Sequence, residues 1–185
     1  MLNILDFLDK EIYDELKQFS LSCDFGETLN PIDGVLYSGI NAKIPDHIIA
    51  EVLNKIEKAT GIKPLVSMIF LRMSKEGVYA PNACHHDLSH GAYTCILYLN
   101  TYEGGGTALV RHADSGITYA PQNQKYLDVL LEGNDVSKWV QYGQANMIEN
   151  STAIFDAGML HCSKPMGGFG ATQEDARMVL TCFFS

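Results

Sequence analysis

No stretch of the chain approaches the ~20 consecutive apolar residues that a membrane-spanning helix requires. Basic residues are also scarce: 13 Lys and Arg stand against 22 Asp and Glu, a formal charge of −9 over 185 residues. That balance disfavours nucleic acid and anionic membrane surfaces as partners. The opening stretch, MLNILDFLDKE, carries acids where a secretory leader has its basic region, so no leader is expected. Cysteine is sparse and odd in number (Cys23, Cys84, Cys95, Cys162, Cys182), with no C-x-x-C pair. A disulfide framework and a cysteine zinc site are therefore not expected, and a cytoplasmic setting is. Internal repeats and low-complexity tracts are missing, which points to one domain over residues 1–185. What is present, 46% hydrophobic and 19% charged residues, is the composition of a globular domain able to bury a core without staples.

The chain divides into a helical opening, residues 1–64, and a strand-rich remainder, residues 65–185. Leu2 to Phe19 has apolar residues at three-to-four spacing (Ile4, Leu5, Leu8, Ile12, Leu16, Phe19), which predicts an amphipathic helix. A second helix starts at Pro45, carries the stripe Ile48, Ile49, Val52, Leu53, Ile56, and stops at Gly61. Between them, Phe25 to Lys43 reads as loop with at most a short edge strand. From Leu65 onward, short β-branched and aromatic runs occur at 65–73, 92–99, 107–111, 152–155 and 177–184, bounded by turn residues. Such strands predict a sandwich or barrel. Tyr126 to Leu131 and Val136 to Tyr142 have helical spacing and predict a helical insertion near 123–143.

Chemistry-bearing residues enter at His85-His86-Asp87. In extended backbone, residues two apart share a face, so His85 and Asp87 project together and His86 projects away. An imidazole and a carboxylate on one face need one more ligand, and His161 is the best third. Two histidines and one carboxylate suit Fe(II) with open coordination positions, although a tetrahedral zinc site can be built from the same residues. Of the other histidines, His47, His90 and His112 are expected to be solvated. On the last strand Arg177, Val179, Thr181 and Phe183 share a face. An arginine facing the interior must find an anion, whereas one at the rim faces water. Thr181 can add a hydroxyl donor to that anion. Tyr98, inward with Thr94 and Ile96, is either a second donor or a core tyrosine. Arg111 is expected at the surface.

Taken in order, His85-His-Asp87, Thr94-Cys-Ile-Leu-Tyr-Leu-Asn100, Glu103-Gly-Gly-Gly-Thr-Ala-Leu109, His161 and Arg177 resemble the Fe(II)/2-oxoglutarate-dependent oxygenases, in particular their prolyl-hydroxylase-like subgroup. The resemblance covers Leu65 to the C-terminus. It implies a mainly β fold, a double-stranded β-helix (jelly-roll, cupin-like) core, here buttressed by the N-terminal helices. It also implies iron ligands at His85, Asp87 and His161, and 2-oxoglutarate held through its far carboxylate by Arg177, Thr181 and Tyr98. The implied activity is hydroxylation of a C–H bond with O2, releasing succinate and CO2, on a small-molecule or peptide substrate. The pattern departs from the subgroup in the 16-residue step from His161 to Arg177, whose surplus is the Gly-rich Met166-Gly-Gly-Phe-Gly-Ala171. Two other readings stay open from the residues: a jelly-roll binding module without turnover, and a zinc-dependent hydrolase using the same ligands.

Overall fold

The computed structural model describes residues 1–30, 34–120 and 124–185. Its elements run β1 (Leu2–Ile4), α1 (Lys10–Ser22), β2 (Gly26–Leu29), β3 (Leu36–Asn41), α2 (Asp46–Thr60), β4 (Val66–Ser74), β5 (Tyr93–Tyr98), β6 (Gly106–His112), α3 (Gln124–Leu131), β7 (Trp139–Asn146), β8 (Thr152–Asp156), β9 (His161–Lys164) and β10 (Arg177–Phe184). Two antiparallel sheets result. The larger has the order β1-β8-β5-β10-β4-β3-β2, and the smaller β7-β6-β9.

β10 lies between β4 and β5 and is buried at every position. Its alternation assigns each face a different job. Met178, Leu180, Cys182 and Phe184 join Leu71 of β4, Cys95 and Leu97 of β5 and Ile154 of β8 in a core shared with the helices. The helices contribute Tyr13 and Leu16 from α1 and Ile48, Val52 and Ile56 from α2. Each aliphatic side chain so buried contributes ~1.5–3 kcal/mol. The odd residues, Arg177, Val179, Thr181 and Phe183, face a cavity lined by both sheets. Register aligns them with their neighbours: Val179 lies opposite Arg72 and Tyr98, and Thr181 opposite Phe70 and Ile96.

The second helix forms as its punctuation requires. Pro45 precedes it, and Gly61 closes it in the left-handed conformation at φ 72°, which costs glycine nothing. The first helix does not begin at Leu2. Leu2–Ile4 pairs instead with β8, and the helix starts only after Asp9. Edge pairing satisfies backbone groups that an unpacked first turn would leave to water.

Phe25 to Lys43 holds two strands, β2 and β3, paired with each other, where at most one was expected; Leu29 and Leu36 are exposed, so the segment carries little strand pattern. Residues 31–33 within it lie outside the described residues, as does residue 123 at the start of the expected insertion. That insertion is largely corrected: α3 is helical, but only 136–138 continue as a short 3-10 turn, and Trp139–Asn146 is a strand along β6. Pairing with β6 overrides the local spacing. Among the described residues, no helix is long and apolar enough to cross a membrane.

Candidate metal centre and adjoining cavities

His85 and His161 meet across one antiparallel bridge, where each backbone N–H donates to the other's carbonyl at 3.0 and 2.9 Å. This contact, rather than a full strand, holds the His85–Asp87 segment extended, and Asp87 N–H donates to Ala157 O at 2.7 Å. The three side chains converge. His161 Nε2 lies 3.2 Å from Asp87 Oδ2, and His85 Nε2 lies 3.5 Å from Asp87 Oδ1. One ligand atom from each residue falls within 4.8 Å of the others, a spacing that a single metal ion can bridge.

Neighbouring groups orient the three. His85 Nδ1 faces Ala83 O at 3.3 Å and His161 Nδ1 faces Met159 O at 2.9 Å. A carbonyl at Nδ1 keeps the proton there and leaves Nε2 with a lone pair able to bind a metal. The Thr94 hydroxyl donates to Asp87 Oδ2 at 2.8 Å, and the Phe155 ring meets His161 edge-on at 4.8 Å. Burial, with His161 adding to it, pushes the His85 pKa down to about 4, so this imidazole is neutral at pH 7. Burial opposes the charge on Asp87, but His161, His85 and Thr94 outweigh it and hold the carboxyl below its usual range. His161 has the converse balance: burial lowers its pKa and Asp87 raises it further.

The triad opens onto two cavities. The first, about 80 Å³, is walled by His85, Asp87 and His161 together with Arg177, Thr181 and Thr107. Arg177 is 4% exposed, and its Nε is buried with no hydrogen-bond partner. Burial depresses its pKa to about 10. The backbone places it between Ser74 of β4 and the 164–176 loop, where its N–H donates to Phe169 O at 3.3 Å. That loop folds tightly: a Cβ on Gly168, at φ 66°, would lie 2.4 Å from Lys75 O. The Gly-rich surplus therefore packs as wall, with Phe169 buried and its ring stacked on Tyr102 at 4.1 Å. Tyr98 is buried behind this wall, where its hydroxyl donates to Thr107 Oγ1 at 2.8 Å; Thr107, not Tyr98, lines the cavity.

The second cavity, about 160 Å³, shares His85 and Asp87 with the first and extends past Phe183, Phe70 and Tyr37. His86 lines it, outside the ligand triad, and its Nδ1 accepts from Leu88 N–H at 3.2 Å. Two expectations for histidines are corrected. His112 is buried, with Nε2 2.7 Å from Glu132 and Nδ1 2.9 Å from Ser115. His90 stacks on Phe183 at 4.8 Å with Nδ1 buried. His47 is exposed as expected, beside Glu15, and Arg111 is exposed too. Cys84 and Cys162, each next to a triad histidine, sit in the apolar cluster beneath the bridge and outside the ligand set.

Sequence reasoning missed Thr94 as the partner of Asp87, Thr107 as a wall hydroxyl, and Arg72 altogether. For Arg72 a signal existed: in the run 65–73 it alternates with Phe70 and Met68, so all three share a face. Its significance depends on knowing that β4 lies beside β10.

No protein-family model matches the chain, and no curated protein matches it. Solved structures do. The chain is similar over its full length to the non-heme α-ketoglutarate-dependent epimerase SnoN of nogalamycin biosynthesis, with a TM-score of 0.56 and 11% identity, covering 76% of that protein. It is similar to EctD from S. alaskensis, solved with 2-oxoglutarate and 5-hydroxyectoine, at a TM-score of 0.54 and 11% identity over 98% of this chain and 70% of that one. A Trichoplax adhaerens prolyl hydroxylase, bound to a fragment of hypoxia-inducible factor, gives a TM-score of 0.54 and 10% identity over 99% and 82%. At these identities the likeness establishes the fold, the double-stranded β-helix of iron- and 2-oxoglutarate-dependent oxygenases.

Proposed function

We propose that residues 1–185 form one Fe(II)- and 2-oxoglutarate-dependent oxygenase unit that hydroxylates a C–H bond of a small-molecule or peptide substrate. The observation that carries this reading is Arg177: a buried guanidinium, lacking a partner at Nε, in the same cavity as a two-histidine, one-carboxylate cluster. A buried cation without an anion is costly, so the cavity is built to receive one.

The donor set fits the metal. Two imidazoles with Nε2 free and one carboxylate are the ligands that leave Fe(II) positions for other groups. His85, Asp87 and His161 would hold the ion. Arg177, with the Thr181 hydroxyl, would hold the far carboxylate of 2-oxoglutarate, and Tyr98 would act on it through Thr107. When bound, iron would activate O2, the oxidant, and 2-oxoglutarate would supply two of its four electrons, so that one oxygen atom ends in C–OH and the other in succinate, with CO2 released. The chain's own residues do the rest. Arg177, whose guanidinium can meet a carboxylate at two points, would fix one end of the co-substrate and so orient the other toward the metal ligands. Thr94 keeps the Asp87 carboxylate turned toward the metal position. Phe70, Val179, Ile96 and Phe183 give the walls an apolar lining that limits water around the reacting groups.

A zinc hydrolase is less well supported. Asp87 is the single carboxylate on either cavity wall among the described residues, and a hydrolase gives the buried Arg177 beside the cluster no role. Metal analysis together with succinate formation tests the proposal. Fe(II)-dependent conversion of 2-oxoglutarate supports it; tight 2-oxoglutarate binding without succinate returns the binding-module reading.

A further inference from the structure

A second arginine faces the centre, outside the contacts assigned above to the co-substrate. Arg72 lines both cavities. It stands diagonally from Arg177 in the register, opposite Val179, so the two cations share the interior face of the sandwich. Their surroundings differ. Arg177 lines the first cavity only, near Tyr98. The Arg72 guanidinium instead sits 5.6 Å from the centre of the Tyr37 ring, and Tyr37 lines the second cavity alone.

No carboxylate among the described residues lies within ion-pair distance of Arg72. Burial lowers the Arg72 pKa, while Tyr37 and then Asp87 favour its charge. A metal bound by Asp87 would commit that carboxylate and leave Arg72 without an anionic neighbour. The first cavity holds both guanidinium groups; the proposed function gives the distal carboxylate of 2-oxoglutarate to Arg177 and turns its other carboxylate toward the metal ligands.

We infer that the second cavity is the site of the primary substrate, and that this substrate is a small free carboxylic acid whose carboxylate is gripped by Arg72 beside His85 and Asp87. The inference rests on the oxygenase reading. Guanidinium geometry matches a carboxylate at two points, and the Tyr37 ring supports its flat face. The cavity, near 160 Å³, has room for a group of about benzene size. Phe70, Met68 and Phe183 offer apolar contact for a short carbon chain, and Asn82 and Ser89 supply polar atoms for a substituent. The C–H bond attacked is then fixed by its distance from the carboxylate along that chain.

The test uses free L-α-amino acids and short-chain carboxylic acids, each paired with its primary amide. Two readouts are taken: calorimetric binding to the anaerobic Mn(II)- and 2-oxoglutarate-loaded protein, and stimulation of succinate formation by the Fe(II) protein in air. At least one acid is expected to bind and stimulate where its amide does neither. Arg72→Gln should weaken that acid about 100-fold and Arg72→Lys about 10-fold, the scale of losing one or two charge-assisted hydrogen bonds. The 2-oxoglutarate Kd should stay within about twofold, and thermal melts check that both variants fold. Equal binding of acid and amide, or no acid bound, overturns the inference. So does an Arg72→Gln variant that loses 2-oxoglutarate and keeps the acid, because Arg72 then belongs to the co-substrate site. If wild type makes no succinate with or without acid, the oxygenase reading fails, while calorimetry still decides what Arg72 holds.

Discussion

Replacing Arg177 by Met should move stability and co-substrate binding in opposite directions. In the ligand-free protein the guanidinium is buried, and its pKa falls from 12.5 to about 10 because burial penalises its charge. At ~1.36 kcal/mol per pKa unit, that is a penalty of roughly 3 kcal/mol on the charged form. A folded-state pKa below the unfolded one for a base means that the charge opposes folding at every pH below about 10, neutral pH included. Met removes the charge and keeps an unbranched apolar stem of similar reach. The ligand-free variant should therefore gain ~1–3 kcal/mol, or ~2–10 °C in Tm for a domain of this size. Binding should show the converse. Two charge-assisted hydrogen bonds of ~1.5–3 kcal/mol each are lost, so the 2-oxoglutarate Kd should rise ~10²- to 10⁴-fold. The thermal upshift that 2-oxoglutarate gives wild type should vanish in the variant. Differential scanning calorimetry with and without 2-oxoglutarate reads both effects. A variant that melts lower than wild type yet binds 2-oxoglutarate within twofold would refute the reasoning, making Arg177 a structural residue with a satisfied charge.

Three further outcomes follow from the same geometry. His161→Ala should abolish stoichiometric Fe(II) or Mn(II) binding by calorimetry, whereas His86→Ala, outside the ligand triad, should retain it. Thr94→Val keeps the side-chain shape but deletes the 2.8 Å hydrogen bond to Asp87, so metal affinity should drop ~10- to 100-fold with little change in Tm. Ile56→Ala empties a fully buried position between α2 and the large sheet and should cost ~2–5 kcal/mol in urea unfolding while sparing metal affinity in the folded fraction.

Much of the site was legible because it depends on alternation. β10 reads as one apolar run, and period two alone places Arg177, Thr181 and Phe183 on one wall and Leu180 and Cys182 on the other. His85 and Asp87 obey the same rule, although a single bridge to His161 enforces it here. Partners set by pairing were not legible. Val136 to Tyr142 has helical spacing in isolation, yet from Trp139 the chain is a strand through its register with β6. Leu2–Ile4 leaves the helical pattern because the edge of β8 lies within reach. Arg72 and Tyr98 show the same limit at the site: alternation turns both inward. Whether each meets a cavity or a hydroxyl depends on the strand beside it, and that is a property of the sheet order.

The central claim is that His85, Asp87, His161 and Arg177 form one centre that couples iron to 2-oxoglutarate. Carbon-13 NMR of labelled 2-oxoglutarate incubated in air with the purified protein tests it most directly. Fe(II) should support conversion to succinate and CO2. Zn(II) should not, His161→Ala should be inactive, and Arg177→Ala should recover partial activity only at high 2-oxoglutarate. Unchanged 2-oxoglutarate in the Fe(II)-loaded wild type, or conversion that persists in His161→Ala, would contradict the account.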